Sequence, residues 1–192
     1  MTHSYRLHYF HLIWSTKNRK PQISPDIQSR LYAYLGAIIQ NHSGKLLEIG
    51  GMPDHVHLLI ELSSLDKFSH FMRDLKASSS LWIHKNFPNS RDFAWQEGYG
   101  SFSVSYSALE EVQKYIQNQQ QHHAIMSFEE EYLKFLKLHH VKYDERFVLG
   151  YTPRGQVDRF SSLIFYLTFC TGNLHLHDRY ASNFQYKNCD KI

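Results

Sequence analysis

A chain of 192 residues has room for one well-buried domain with an appendage, or for two very small ones. Its composition, 42% hydrophobic, 20% charged and 15% aromatic, is that of a soluble globular protein, and it holds no apolar run of about 18 residues that would span a membrane. The formal charge of +3 is too small to point to nucleic acid by itself.

The charge is unevenly spread. Six basic residues (Arg6, Lys17, Arg19, Lys20, Arg30, Lys45) stand against one acidic residue, Asp26, before position 46, and the balance reverses between Glu110 and Arg146. A basic N-terminal region suits phosphates, and a solvated loop equally. The two cysteines, Cys170 and Cys189, make no disulfide framework. With no apolar leader in the first residues, the expectation is a cytoplasmic protein.

Leu7 to Thr16 is rich in aromatic and β-branched residues and reads as a first strand. After the basic turn Lys17–Pro21, Ser24 is the expected N-cap of a helix with Pro25 in its first turn. Ile27, Leu31, Tyr34, Leu35 and Ile38 recur there at helical spacing. Lys45 to Ile49 forms a second strand, and Gly50-Gly51-Met52-Pro53 turns it into a third. A second helix runs from about Asp66 to Lys85, a fourth strand from Trp95 to Ser105. A third helix is expected from Ser107 to about His123, with Ser107 and Glu110 as a capping box, and a shorter one from Ser127 to His139.

The order β-α-β-β-α-β followed by helices predicts an α+β, ferredoxin-like fold. Four antiparallel strands would carry two helices on one face and leave the other open. In the third strand, Val56, Leu58, Ile60 and Leu62 alternate with His55, His57, Leu59 and Glu61. The aliphatic stripe would pack under the helices and both imidazoles would point off the open face. Two imidazoles held rigidly side by side are suited to gripping one cation, which favours a metal-dependent enzyme. A second pair, His175-Leu176-His177, has the same spacing but no strand pattern around it and reads as incidental.

On the third helix Tyr115 and Gln119 stand four residues apart and are neighbours on one face, beside Val112 and Ile116. A glutamine inside a buried stripe needs a polar partner. Packing alone would also explain Tyr115.

Pro53-Asp54-His55-Val56-His57-Leu58-Leu59, then Trp95-Gln96-Glu97-Gly98-Tyr99-Gly100-Ser101-Phe102, then Val112-x-x-Tyr115-Ile116-x-x-Gln119 together resemble the IS200/IS605-type single-tyrosine transposases of the HUH class. The opening Tyr9-x-x-x-Ile13-Trp14-x-Thr16-Lys17-x-Arg19 and the segment Tyr143-Asp144-Glu145-Arg146-Phe147 fit as well. The resemblance implies that Tyr115 is a nucleophile and that His55, His57 and Gln119 bind a divalent cation, Mg²⁺ or Mn²⁺. It also implies single-stranded DNA with hairpin ends as substrate, in a bacterial or archaeal cell. A homodimer is expected too, in which the Tyr115 helix completes the partner's site. Lys17, Arg19, Lys20, Arg73 and Lys76 are candidate phosphate contacts. Asp54 or Glu61 would either orient the metal ligands or serve only as surface carboxylates.

Residues 1–148 are the expected transposase domain and 149–192 an extension beyond the usual end of the family pattern. Competing readings are a non-catalytic nucleic-acid-binding module, a rolling-circle-type HUH nuclease and a host-adopted transposase.

Overall fold

The computed structural model describes residues 5–144 and Val148. The expected extension, with Cys170, Cys189 and the His175/His177 pair, lies outside the described residues, as does Glu145–Phe147. Four strands, β1 (His8–Ser15), β2 (Gly44–Met52), β3 (His55–Leu62) and β4 (Gly100–Ser103), form one antiparallel sheet in the order β2-β3-β1-β4. That is the order of the ferredoxin-like arrangement. β1 lies at the centre, and its register sets Ser15 opposite His55 and Ile13 opposite His57.

Helices α1 (Pro25–Asn41) and α2 (Phe68–Asn86) cover one face. As the alternation predicts, Val56, Leu58, Ile60 and Leu62 pack there with Leu12, Trp14, Leu31, Leu35 and Leu75. The other face is covered as well. Helices α3 (Leu109–Gln117), α4 (Gln119–His123) and α5 (Phe128–Leu138) lie over it, so the two-helix expectation of an open surface gives way to a second core. The reason is apolar area. Ile13, Leu59, Phe102 and Val104 project from this face and are buried by Val112, Ile116, Phe128 and Phe135.

Several expected boundaries shift. Ser24 precedes α1, but its hydroxyl donates to Asp26 rather than receiving a backbone N–H. Ser107 falls inside a 3₁₀ turn (Tyr106–Ala108), so the capping box expected there does not form. The box is found instead at Ser127 and Glu130, which start α5. β4 is shorter than expected: only Trp95 bridges back to Thr16, and the carbonyls of Gln96, Glu97 and Gly98 turn to Lys76. The single long third helix breaks at Asn118, whose side-chain amide bonds the carbonyl of Lys114 and competes with the backbone ladder.

Two glycines hold the site's scaffold together. Gly51, at φ +149°, sits in the β2–β3 turn where a side chain would be strained. A Cβ on Gly50 would run into the backbone carbonyl of Ile116, so α3 reaches β2 only because that side chain is absent. Gln117 then anchors the end of α3 to Glu48 of β2, with Nε2 donating to Oε2 at 2.6 Å.

Candidate active site

The covering helices place His55 and His57 in a dry site, at 1% and 0% exposure. Each ring has its Nδ1 engaged. Asp54 Oδ1 lies 2.7 Å from Nδ1 of His55, and Nε2 of His11 lies 3.0 Å from Nδ1 of His57. A carboxylate beside Nδ1 fixes the proton of a neutral imidazole there and leaves the Nε2 lone pair free. Of the two carboxylates offered by the sequence as orienting groups, Asp54 does this. Glu61 sits at the other end of β3, opposite Tyr9 and Lys45.

The third helix brings Tyr115 to the same place. Its ring centroid is 6.1 Å from that of His57 within one chain. Its hydroxyl donates to Glu131 Oε1 and lies 3.3 Å from Nε2 of His122. The break at Asn118 turns Gln119 inward, at 1% exposure, where its Nε2 donates to the same Glu131 Oε1 at 3.3 Å. Tyr115 and Gln119 are thus linked through a shared carboxylate.

Glu131, His123 and His11 escape sequence reasoning. Glu131 is 2% exposed on α5, inside the stripe of Phe128, Tyr132 and Phe135. A carboxylate within an apolar stripe was the available signal. His123 continues the four-residue spacing of Tyr115 and Gln119, and His11 shares the Ile13 face of β1. Nε2 of His123 lies 3.2 Å from Glu131 Oε2, and Nε2 of His57 lies 3.4 Å from the same oxygen.

Electrostatics follow from burial and from this one carboxylate. Burial pushes the Glu131 carboxyl up, but His57, His123 and Tyr115 outweigh it and hold the group ionised, well below the usual range. Burial draws His57 and His11 down toward the neutral form, against the pull of Glu131. Burial also lowers His123, yet the adjacent Glu131 carboxylate raises it overall. Tyr115 is pushed far above the ordinary phenol range, first by burial and then by Glu131. The phenol therefore rests protonated.

The residues present suit a cation. Nε2 of His55 and of His57 and Oε1 of Gln119 are buried and have no hydrogen-bond partner, although buried polar atoms nearly always have one. Two imidazole nitrogens and an amide oxygen are ordinary donors for a divalent ion.

The basic candidates separate into two places. Lys17, Arg19 and Lys20 occupy the turn after β1, at the His55 end of the sheet, and Arg19 pairs with Glu129 of α5 at 3.4 Å. Arg73 and Lys76 stand on α2, the helix packed on the opposite face. Arg73 is exposed and lies near His70 and Asp74. Lys76 donates to three backbone carbonyls at 2.6–2.9 Å, and burial lowers its pKa to about 8.

Fold and site define the class: a ferredoxin-like α+β protein in which a strand-borne histidine pair and a helix-borne tyrosine share one buried cluster. Residues 4–119 match the family described as "Transposase IS200 like". The chain belongs to that family. It is 28% identical over 120 residues to the ISDra2 transposase TnpA of Deinococcus radiodurans, covering 60% of this chain and 85% of the relative. Among solved structures, a candidate transposase from Deinococcus radiodurans superposes with a TM-score of 0.51 at 27% identity, covering 62% of this chain and 96% of that one. A REP-associated tyrosine transposase bound to a REP hairpin superposes at 0.50 with 15% identity, over 64% of this chain and 73% of that one, and shares the fold.

Proposed function

We propose that this transposase cleaves and rejoins single-stranded DNA at insertion-sequence ends, with Tyr115 as nucleophile and a 5′-phosphotyrosine intermediate. The convergence of the Tyr115 ring with His57, and of its hydroxyl with Glu131 beside the unpartnered nitrogens of the His-x-His pair, carries this reading. The phenol oxygen attacks phosphorus and the bond to the 3′ oxygen breaks. A tyrosyl phosphodiester and a free 3′-hydroxyl result, and the bond energy is kept for joining to another strand. The phenol gives up its proton as it attacks, and Glu131 Oε1 is the acceptor facing it.

His55, His57 and Gln119 would hold Mg²⁺ or Mn²⁺. When bound, such an ion withdraws charge from a phosphoryl oxygen and helps orient the in-line displacement. Lys17, Arg19 and Lys20 sit where they would meet the strand entering beside His55, while Arg73 and Lys76 would contact it only if it wraps across α2. The bound REP hairpin of the solved neighbour supports a hairpin-ended substrate. A homodimer goes with the family resemblance, but Tyr115 meets His57 without help from a second copy. A cytoplasmic location goes with the substrate.

A non-catalytic module that binds RNA on an open ferredoxin-like face is disfavoured, because α3, α4 and α5 occupy that face. The deciding experiment incubates the full chain with Mn²⁺ and single-stranded DNA carrying the hairpins that flank the gene. A covalent protein–DNA adduct is expected, and none with Tyr115→Phe. DNA binding without any adduct would overturn the proposal.

A further inference from the structure

We infer that His123 and Glu131, both beyond the segment matched by the family, are metal ligands in this chain and complete a centre with His55 and His57. The assignment rests on the metal-dependent reading above and extends it to residues that the resemblance does not reach.

The ligand atoms are gathered on one point. One nitrogen from each of His55, His57 and His123 and one oxygen of Glu131 lie within 4.8 Å of one another. Among the described residues, the buried side-chain atoms without a hydrogen bond include Nε2 of all three histidines, Oε1 of Gln119 and Oε2 of Glu131. Five unpartnered atoms in one dry spot leave a common partner as the simplest explanation.

His123 has the same orientation device as His55, an acceptor at Nδ1. Its Nδ1 lies 2.8 Å from the carbonyl of Met126, which can only accept, so the proton of the neutral ring sits on Nδ1 and the Nε2 lone pair faces inward. That lone pair and the lone pairs of Glu131 Oε2 meet at 3.2 Å. Two acceptors hold that distance only with a proton or a cation between them, and a divalent cation would at the same time serve the unpartnered Nε2 atoms of His55 and His57, which a single proton cannot.

Glu131 divides its oxygens. Oε1 takes hydrogen bonds from Tyr115 and Gln119, and Oε2 faces His57 and His123. As a ligand through Oε2 it would fix the nucleophile's hydroxyl at a set position relative to the ion. A carboxylate also lowers the net charge of the centre and adds an oxygen donor, which suits Mn²⁺ or Mg²⁺ better than an all-nitrogen set.

The test uses the full chain and Mn²⁺ alone, without DNA. Calorimetric titration is expected to show one ion per chain, with affinity falling about a hundredfold or more in Glu131→Gln and in His123→Gln, at or beyond the loss typical of an outer partner. Metal-free melting of each variant checks that it folds. Should either fail to fold, pulsed EPR on the unmutated chain with ¹⁵N-labelled histidine should count three imidazole nitrogens on Mn²⁺. Affinity unchanged in either folded variant, a count of two nitrogens, or no uptake by the unmutated chain would each overturn the assignment. The adduct assay is independent: a Tyr115 adduct in a His123→Gln chain that binds Mn²⁺ normally would sink this inference and leave the transposase reading standing, because that reading gives His123 no part in the chemistry.

Discussion

The two faces of the sheet are equally dry and do opposite work. Toward α1 and α2, Leu12, Trp14, Val56, Leu58 and Ile60 are all at 0% exposure in an apolar cluster. Toward α3, α4 and α5, His57, Ile13 and Leu59 are also at 0%, yet His11, His55, Gln119 and Glu131 are buried among them. Depth of burial therefore does not separate core from site. Clustering of unmet polar atoms does: toward α1 and α2 Trp14 Nε1 lacks a partner, whereas on the other face atoms of His55, His57, Gln119, His123 and Glu131 lack one together, each at a cost of about 1–3 kcal/mol that a shared ligand would offset.

Substitutions on the two faces should separate stability from chemistry. The largest effect is expected from His57→Ala, which should lower adduct formation about a hundredfold or more, since metal polarisation is worth several kcal/mol. Gel quantification of the DNA adduct measures it. On the other face, Leu58→Ala should cost about 2–5 kcal/mol in urea unfolding and leave adduct yield per folded molecule unchanged. Equal loss of adduct in both would break the contrast.

Gly50→Ala tests the join between the scaffold and the nucleophile. Its methyl group would meet the Ile116 carbonyl, so α3 must move, at about 1–3 kcal/mol. Adduct yield should fall with it, because Tyr115 rides on that helix. Lys76→Met should remove three donors from the Gln96–Gly98 carbonyls and cost about 1–3 kcal/mol. Hydrogen exchange at Gly98 and Tyr99 should rise. If Lys76 acted only as a phosphate contact, DNA affinity would drop and stability would not. The smallest change is expected from Ser127→Ala, about 1 kcal/mol from loss of the α5 cap, read as a shift of the urea midpoint.

The histidine pair, the tyrosine and the glutamine of the candidate site are legible in order along the chain. Alternation in β3 put His55 and His57 on one side and four aliphatic residues on the other, and both halves of that pattern are found. The spacing of Tyr115 and Gln119 made them neighbours, although the helix between them breaks at Asn118 and Glu131 makes the link. His11 and Glu131 were not readable in the same way. Their partners are 46 positions away for His11, and for Glu131 are spread over His57, Tyr115 and His123, and no local period encodes such distances. Ser107 misled for a related reason: its capping pattern with Glu110 is genuine as a pattern, but the chain enters a 3₁₀ turn first.

Local periodicity thus settled which faces of the strands and helices are buried, and set His55 beside His57 and Tyr115 beside Gln119, because side-chain direction repeats every two or 3.6 residues whatever the rest of the chain does. Packing decided that the histidine face is closed, that its cluster includes a carboxylate from α5, and that Lys76 turns inward. Those outcomes depend on which apolar surfaces find one another across the sheet, and long-range burial is a property of the folded whole.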